Sequence, residues 1–157
     1  MSDKAFQDYY PEEFSHCYGC GPLNDHGLKI KSRWEGNETV CCYEPQPYHS
    51  GGFPDSVYGG FLASLIDCHS SATASAAHHR DRGFSLDEKP LSRFVTASLK
   101  VDYLKPTPMN TRLELRSNVV EMKGRKIIVS TQLSAAGNVC VKGEAIMVRI
   151  PEKGEEK

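Results

Sequence analysis

At 157 residues the chain has the length of one domain with room for a sizeable hydrophobic core. Nineteen Lys and Arg against twenty Asp and Glu leave a net charge of −1, which excludes a general nucleic-acid-binding surface. Met1–Phe6 lacks an apolar signal core and no later run is long enough to span a bilayer, so the expectation is a cytoplasmic protein with no membrane partner.

Residues 1–27 are polar, aromatic and turn-rich, and Pro11, Gly19, Gly21, Pro22 and Gly27 interrupt any long element. This irregular segment contains Cys17-x-x-Cys20. With Cys41-Cys42 it offers four thiolates, a number that suits zinc. Adjacent residues on a strand point to opposite faces, however, so small buried or turn cysteines, reduced and without metal, are expected. Leu28–Trp34 and Thr39–Tyr43 read as a hairpin across Glu35-Gly36-Asn37. Pro45 and Pro47 end the second strand. A loop rich in glycine (Gly51, Gly52, Pro54) then leads into a helix over residues 57–79 that is apolar or small nearly all round and is therefore buried on most sides. Residues 80–90 are charged and carry Gly83 and Pro90, a loop. In Phe94–Tyr103 the spacing sets Val95, Ala97, Leu99, Val101 and Tyr103 on one face of a strand. Three further strands, 113–122, 126–135 and 139–150, follow as a meander with turns at Lys123-Gly124 and Ala136-Gly137-Asn138. Residues 151–157 read as a solvated tail. The sum is an α+β domain over 1–157 in which one long central helix shares its core with a curved antiparallel sheet of five or six strands.

The chemistry concentrates in Tyr58-Gly59-Gly60 and Asp67. A helix N-terminus leaves N–H groups unpaired and carries partial positive charge, and glycine lets a substrate approach them closely. Such an amide can stabilise the oxyanion of an acyl-transfer reaction. A carboxylate two turns inside an apolar helix is costly unless it works for its place. Eight residues of helix separate Gly59 from Asp67 by about 12 Å, too far for one helix to act on one carbonyl with both groups. If both are catalytic, the site is composite and the acid comes from a second copy of the chain.

Three segments resemble the hotdog-fold acyl-CoA thioesterases, and within them the PaaI-like branch. They are Cys17-Tyr18-Gly19-Cys20-Gly21-Pro22-Leu23-Asn24-Asp25-His26-Gly27-Leu28; the run from Gly52-Phe53-Pro54 through Tyr58-Gly59-Gly60 to Asp67; and Thr96 to Tyr103-Leu104-Lys105-Pro106. The resemblance implies a hotdog fold, hydrolysis of an acyl-CoA thioester without cofactor, a homodimer whose sheets join edge to edge, and often a tetramer of two dimers. By position it implies Gly59 as oxyanion donor, Asp67 as base or nucleophile, and Thr96 as a hydroxyl that orients water. Tyr58 stands where the family carries His. A phenol hydrogen-bonds but does not titrate near neutrality. Gly52, which stands where relatives often carry an amide side chain, and Gly60 and His49 complete the expected substrate-side positions, His49 being able to act as a base. Two other readings stand beside this one: a hotdog hydratase or dehydratase acting on an acyl thioester, and a non-catalytic acyl-thioester binder.

Overall fold

The computed structural model describes residues 4–155; the first three residues of the irregular segment and the last two of the tail lie outside the described residues. Residues 4–31 carry two short 3₁₀ turns, Phe6–Tyr9 and Glu12–Phe14. Six strands follow: β1 (Ser32–Glu35), β2 (Glu38–Tyr43), β3 (Phe94–Tyr103), β4 (Leu113–Lys123), β5 (Lys126–Ala135) and β6 (Asn138–Arg149). They form one antiparallel sheet in the order β1-β2-β4-β5-β6-β3. The single long helix, α1 (Gly59–Asp81), leaves from β2 near one edge and returns to β3 at the other. This is the hotdog arrangement.

The hairpin turns are set by residues that accept left-handed backbone. The β1–β2 loop is Gly36-Asn37, with Gly36 at φ +63°, and the β5–β6 loop is Ala136-Gly137, with φ +50° and +79°. The first strand is shorter than the expected Leu28–Trp34. Lys29 sits at φ +54°, and the Leu28 and Ile30 N–H groups donate to the carbonyls of Tyr18 and Gly19, so residues 28–31 brace the cysteine loop instead of pairing with β2.

The helix is also displaced from the expected 57–79. At its start, Val57 and Tyr58 donate their N–H groups to Thr107 and His49 carbonyls, which holds them in the loop and starts the helix at Gly59. At its end, Gly83 at φ +78° donates to Arg80 O while Phe84 donates to His79 O, the two bonds of a Schellman cap. The helix therefore runs two residues further, into what reads as loop.

Three clusters pack around α1. Phe61, Leu62, Leu65 and Ile66 meet Leu113, Leu115, Leu133 and Val141 of the sheet. Ala74 meets Phe94, Ile127, Val129, Ala145 and Met147. Ala72 and Ala76 meet Phe6 and Leu91, so the N-terminal segment covers the side of the helix that the sheet leaves open. Each fully buried Leu or Ile contributes roughly 2 kcal/mol. Gly143 allows the helix its close approach, because a Cβ there would lie 2.5 Å from Ile66 Cγ2. The tail folds back rather than standing free: Arg149 donates to both Glu155 carboxylate oxygens at 2.9 and 2.8 Å, and Ser92 Oγ donates to Glu152.

Candidate active site

Whether Thr96 can serve Asp67 depends on one irregularity in β3. Thr96 pairs with Met147 and Ser98 with Ile146, so Ala97 is an extra residue, a β-bulge. Before it, Phe94 and Thr96 face the helix; after it, Leu99, Val101 and Tyr103 do. The uniform alternation expected from the sequence is therefore broken in its first half: Phe94 packs in the core and Thr96 reaches Asp67, while Val95 and Ala97 are exposed. The bulge is what lets a helix-facing hydroxyl stand at position 96 in a strand whose later core residues are odd-numbered.

Thr96 Oγ1 donates to Asp67 Oδ1 at 2.5 Å. Among the described residues the second oxygen of Asp67 has no hydrogen-bond partner, and the side chain is half-buried. Asp67 and Thr96 line a cavity of about 470 Å³ between the N-terminal segment, α1 and the start of β3, together with Cys17, Cys20, Cys68, Ser71 and Arg93. A carboxylate with one oxygen fixed and the other facing a cavity can accept a proton or attack a carbon centre.

The cysteine loop supplies one wall. The sulfurs of Cys17, Cys20 and Cys68 all lie within 4.8 Å of one another. Hydrogen bonds from Cys20 and Cys68 hold the Cys17 thiol far below its usual range. The same contact with Cys17 pushes Cys20 up to about 12 and raises Cys68. Cys41 and Cys42 do not join this group, and Cys68 carries no local signal of joining it, because only tertiary packing of the loop on the helix brings it there.

At the other end of α1 the glycine pair is exposed at the helix start. Among the described residues neither the Gly59 nor the Gly60 N–H has an acceptor, whereas the Phe61 and Leu62 N–H groups both donate to Tyr58 O. Tyr103 Oη donates to Gly59 O at 2.7 Å and its ring closes on Gly59, where a Cβ would sit 3.3 Å from it. The Tyr58 ring folds back over Gly60, 2.5 Å from where a Cβ would be, and remains 58% exposed. His49 stacks on Phe61 with centroids 3.9 Å apart, and its Nδ1 accepts the Gln46 N–H. Burial lowers its pKa. Gly52 is exposed at the loop tip with open space around it. The structure thus joins Asp67 to Thr96 and gathers Tyr58, Gly59, Gly60 and His49 at the helix start. The Tyr103 hydrogen bond to Gly59 O is a tertiary contact that the Tyr-x-x-Pro pattern does not by itself reveal.

An antiparallel sheet wrapped around one long helix defines a hotdog protein. The thioesterase superfamily model matches residues 55–142, and the chain belongs to this family. A crystal structure of a thioesterase superfamily protein from Shewanella loihica PV-4 is 40% identical, with a TM-score of 0.68 over 88% of this chain and 97% of that one. The acyl-coenzyme A thioesterase THEM4 of Xenopus laevis is 31% identical over 106 residues, covering 68% of this chain and 41% of the relative. The chain spans about two fifths of the length of the curated relatives it matches. A hypothetical thioesterase from Streptococcus pneumoniae TIGR4, solved with coenzyme A, shares the fold at 13% identity, with a TM-score of 0.63 over 80% of this chain and 88% of that one.

Proposed function

We propose that the protein hydrolyses an acyl-CoA thioester to the free acid and coenzyme A. The observation that carries the reading is Asp67: one carboxylate oxygen is held by Thr96 at 2.5 Å and the other is free beside a cavity. Water attacks the thioester carbon as Asp67 takes its proton, the unpaired Gly59 N–H stabilises the oxyanion, and collapse expels the thiolate, which recovers the proton. If Asp67 instead attacks directly, a mixed anhydride forms and water cleaves it. In oxygen-isotope-labelled water, label in the Asp67 carboxylate after a single turnover identifies the second route with water attacking the Asp67 carbon of the anhydride, because the general-base route leaves that carboxylate unlabelled. The relatives named as acyl-coenzyme A thioesterases and the fold neighbour solved with coenzyme A support the substrate class. Of the surface cations near the site, Arg93 lines the cavity and suits a phosphate of the carrier.

The site is composite in this proposal. β3 is the last strand of the sheet, and its outer row of N–H and C=O groups faces no strand among the described residues. Two copies pairing antiparallel through β3 are related by a two-fold axis. That operation sets the Asp67–Thr96 end of one subunit against the Gly59–Tyr103 end of the other, which resolves the separation of about 12 Å along one helix. Tyr58 walls the oxyanion site.

Thiol release from short, medium, long and aryl acyl-CoAs, with Asp67→Asn alongside, tests the reading. Turnover that falls by about 100-fold or more in the variant is expected. Absence of release across the panel from a folded dimer contradicts it, as does full turnover in a dilute monomer.

A further inference from the structure

We infer that Cys17, Cys20 and Cys68 form a three-thiolate site for Zn2+, its fourth coordination position open to the cavity beside Asp67. The three sulfurs lie within 4.8 Å of one another, and Cys17 Sγ stands 3.8 Å from Cys68 Sγ. A tetrahedral ion with Zn–S bonds of about 2.3 Å requires sulfurs about 3.8 Å apart. The loop that presents two of them is built for close sulfur packing. Gly21 N–H closes the turn on Cys17 O at 2.8 Å, and a Cβ at Gly21 would lie 2.4 Å from Cys17 N and Ser15 O. At Gly19 a Cβ would lie 2.1 Å from Cys68 Sγ, so any side chain there would separate the loop sulfurs from the helix. The backbone bonds from Leu28 to Tyr18 and from Ile30 to Gly19 hold the loop in place, and α1 fixes Cys68.

The donor set decides the ion. Three thiolates select a soft or borderline metal over Mg2+ or Ca2+, and three protein ligands leave one position for water. Cys20 is buried while Cys17 is exposed, which provides both a dry side and an entry path. Binding displaces the thiol protons into solvent. The bound ion would tie the N-terminal segment to α1 one residue after Asp67 and fix that wall of the cavity.

The test uses the reduced, chelator-stripped full chain and does not involve turnover, so its result is independent of the thioesterase proposal. Titration with Co2+ should saturate at one equivalent, with thiolate charge-transfer absorption and the intense visible bands of tetrahedral cobalt, and Zn2+ should bleach both. Cys68→Ser, and separately the exposed-loop variant Cys17→Ser, should weaken Zn2+ binding by more than about 100-fold, beyond the loss expected from an outer-shell partner. Cys42→Ser should leave it unchanged. The assignment is overturned by the absence of thiolate charge-transfer absorption in the reduced wild-type chain, or by unchanged affinity in folded Cys68→Ser and Cys17→Ser.

Discussion

Asp67 and His69 are two residues apart on α1 and face opposite sides of it, into regions that treat a polar group in opposite ways. His69 is fully buried against the sheet. Its Nε2 lies 3.3 Å from Thr39 O, which can only accept, so Nε2 carries the proton and Nδ1 accepts from Ser32 Oγ at 2.8 Å. Ser32 Oγ in turn accepts from Gln7 Nε2, and Gln7 Oε1 accepts the Ser32 N–H. Thr73 donates to His69 O, leaving Thr39 to donate to Thr73 at 2.6 Å. Every position is filled. Asp67 has one bond and an unused oxygen facing a cavity. The strongly perturbed histidine is thus part of the packing, with its pKa lowered to about 4 by burial, and the group with spare hydrogen-bonding capacity is the one able to take part in a reaction. Perturbation alone does not mark a site; it must coincide with access.

The contrast can be broken from the structural side first. His69→Leu leaves Ser32 and Thr39 without their partner in a dry region and should cost about 3 kcal/mol of stability in a denaturant titration, with turnover per folded molecule retained. Acidification is the second and comparable effect. Because the folded chain holds His69 near 4 and the unfolded chain near 6.5, the unfolded state binds more protons between those values. Stability is therefore full above pH 6.5 and is lost as pH falls toward 4, by roughly 3 kcal/mol for this residue. Denaturation midpoints at pH 7, 5.5 and 4.5 should show this slope, and His69→Gln should flatten it. On the reactive side, Thr96→Val removes the hydroxyl from Asp67 Oδ1 and should lower turnover by about 10-fold, or roughly 1.4 kcal/mol. Thr96→Ser should restore most of it in the same thiol-release assay. The smallest effect belongs to Tyr58→Phe, because that hydroxyl has no hydrogen-bond partner among the described residues; stability should stay within about 0.5 kcal/mol and turnover within about 3-fold.

Most of the fold was legible because it rests on local signals. Period-two strands, glycine turns such as Gly36-Asn37 and an all-round apolar helix specify a sheet about a helix before any contact is known. The misread stretches are those where long-range backbone bonds override local preference: residues 28–31 recruited by the cysteine loop, and Val57 and Tyr58 held by Thr107 and His49. Gly83 was readable as a helix stop, since a glycine just past a basic last turn is a common C-cap. In the site, Gly59 and Asp67 stood out by residue type and spacing, while Thr96 stood out only through the family resemblance. The bulge at Ala97 leaves no mark in the pattern of apolar residues, yet it turns Thr96 toward Asp67. Cys68 is a small helical residue like its neighbours until the fold sets it against Cys17 and Cys20.

The most direct measurement is a paired one: thiol release and unfolding free energy for Asp67→Asn and His69→Gln side by side. We expect Asp67→Asn to lose turnover by about 100-fold or more with its stability unchanged, and His69→Gln to lose stability with turnover per folded molecule unchanged. Retained turnover in Asp67→Asn, or a catalytic loss in stably folded His69→Gln, would contradict the assignment of chemistry to the open side of the helix.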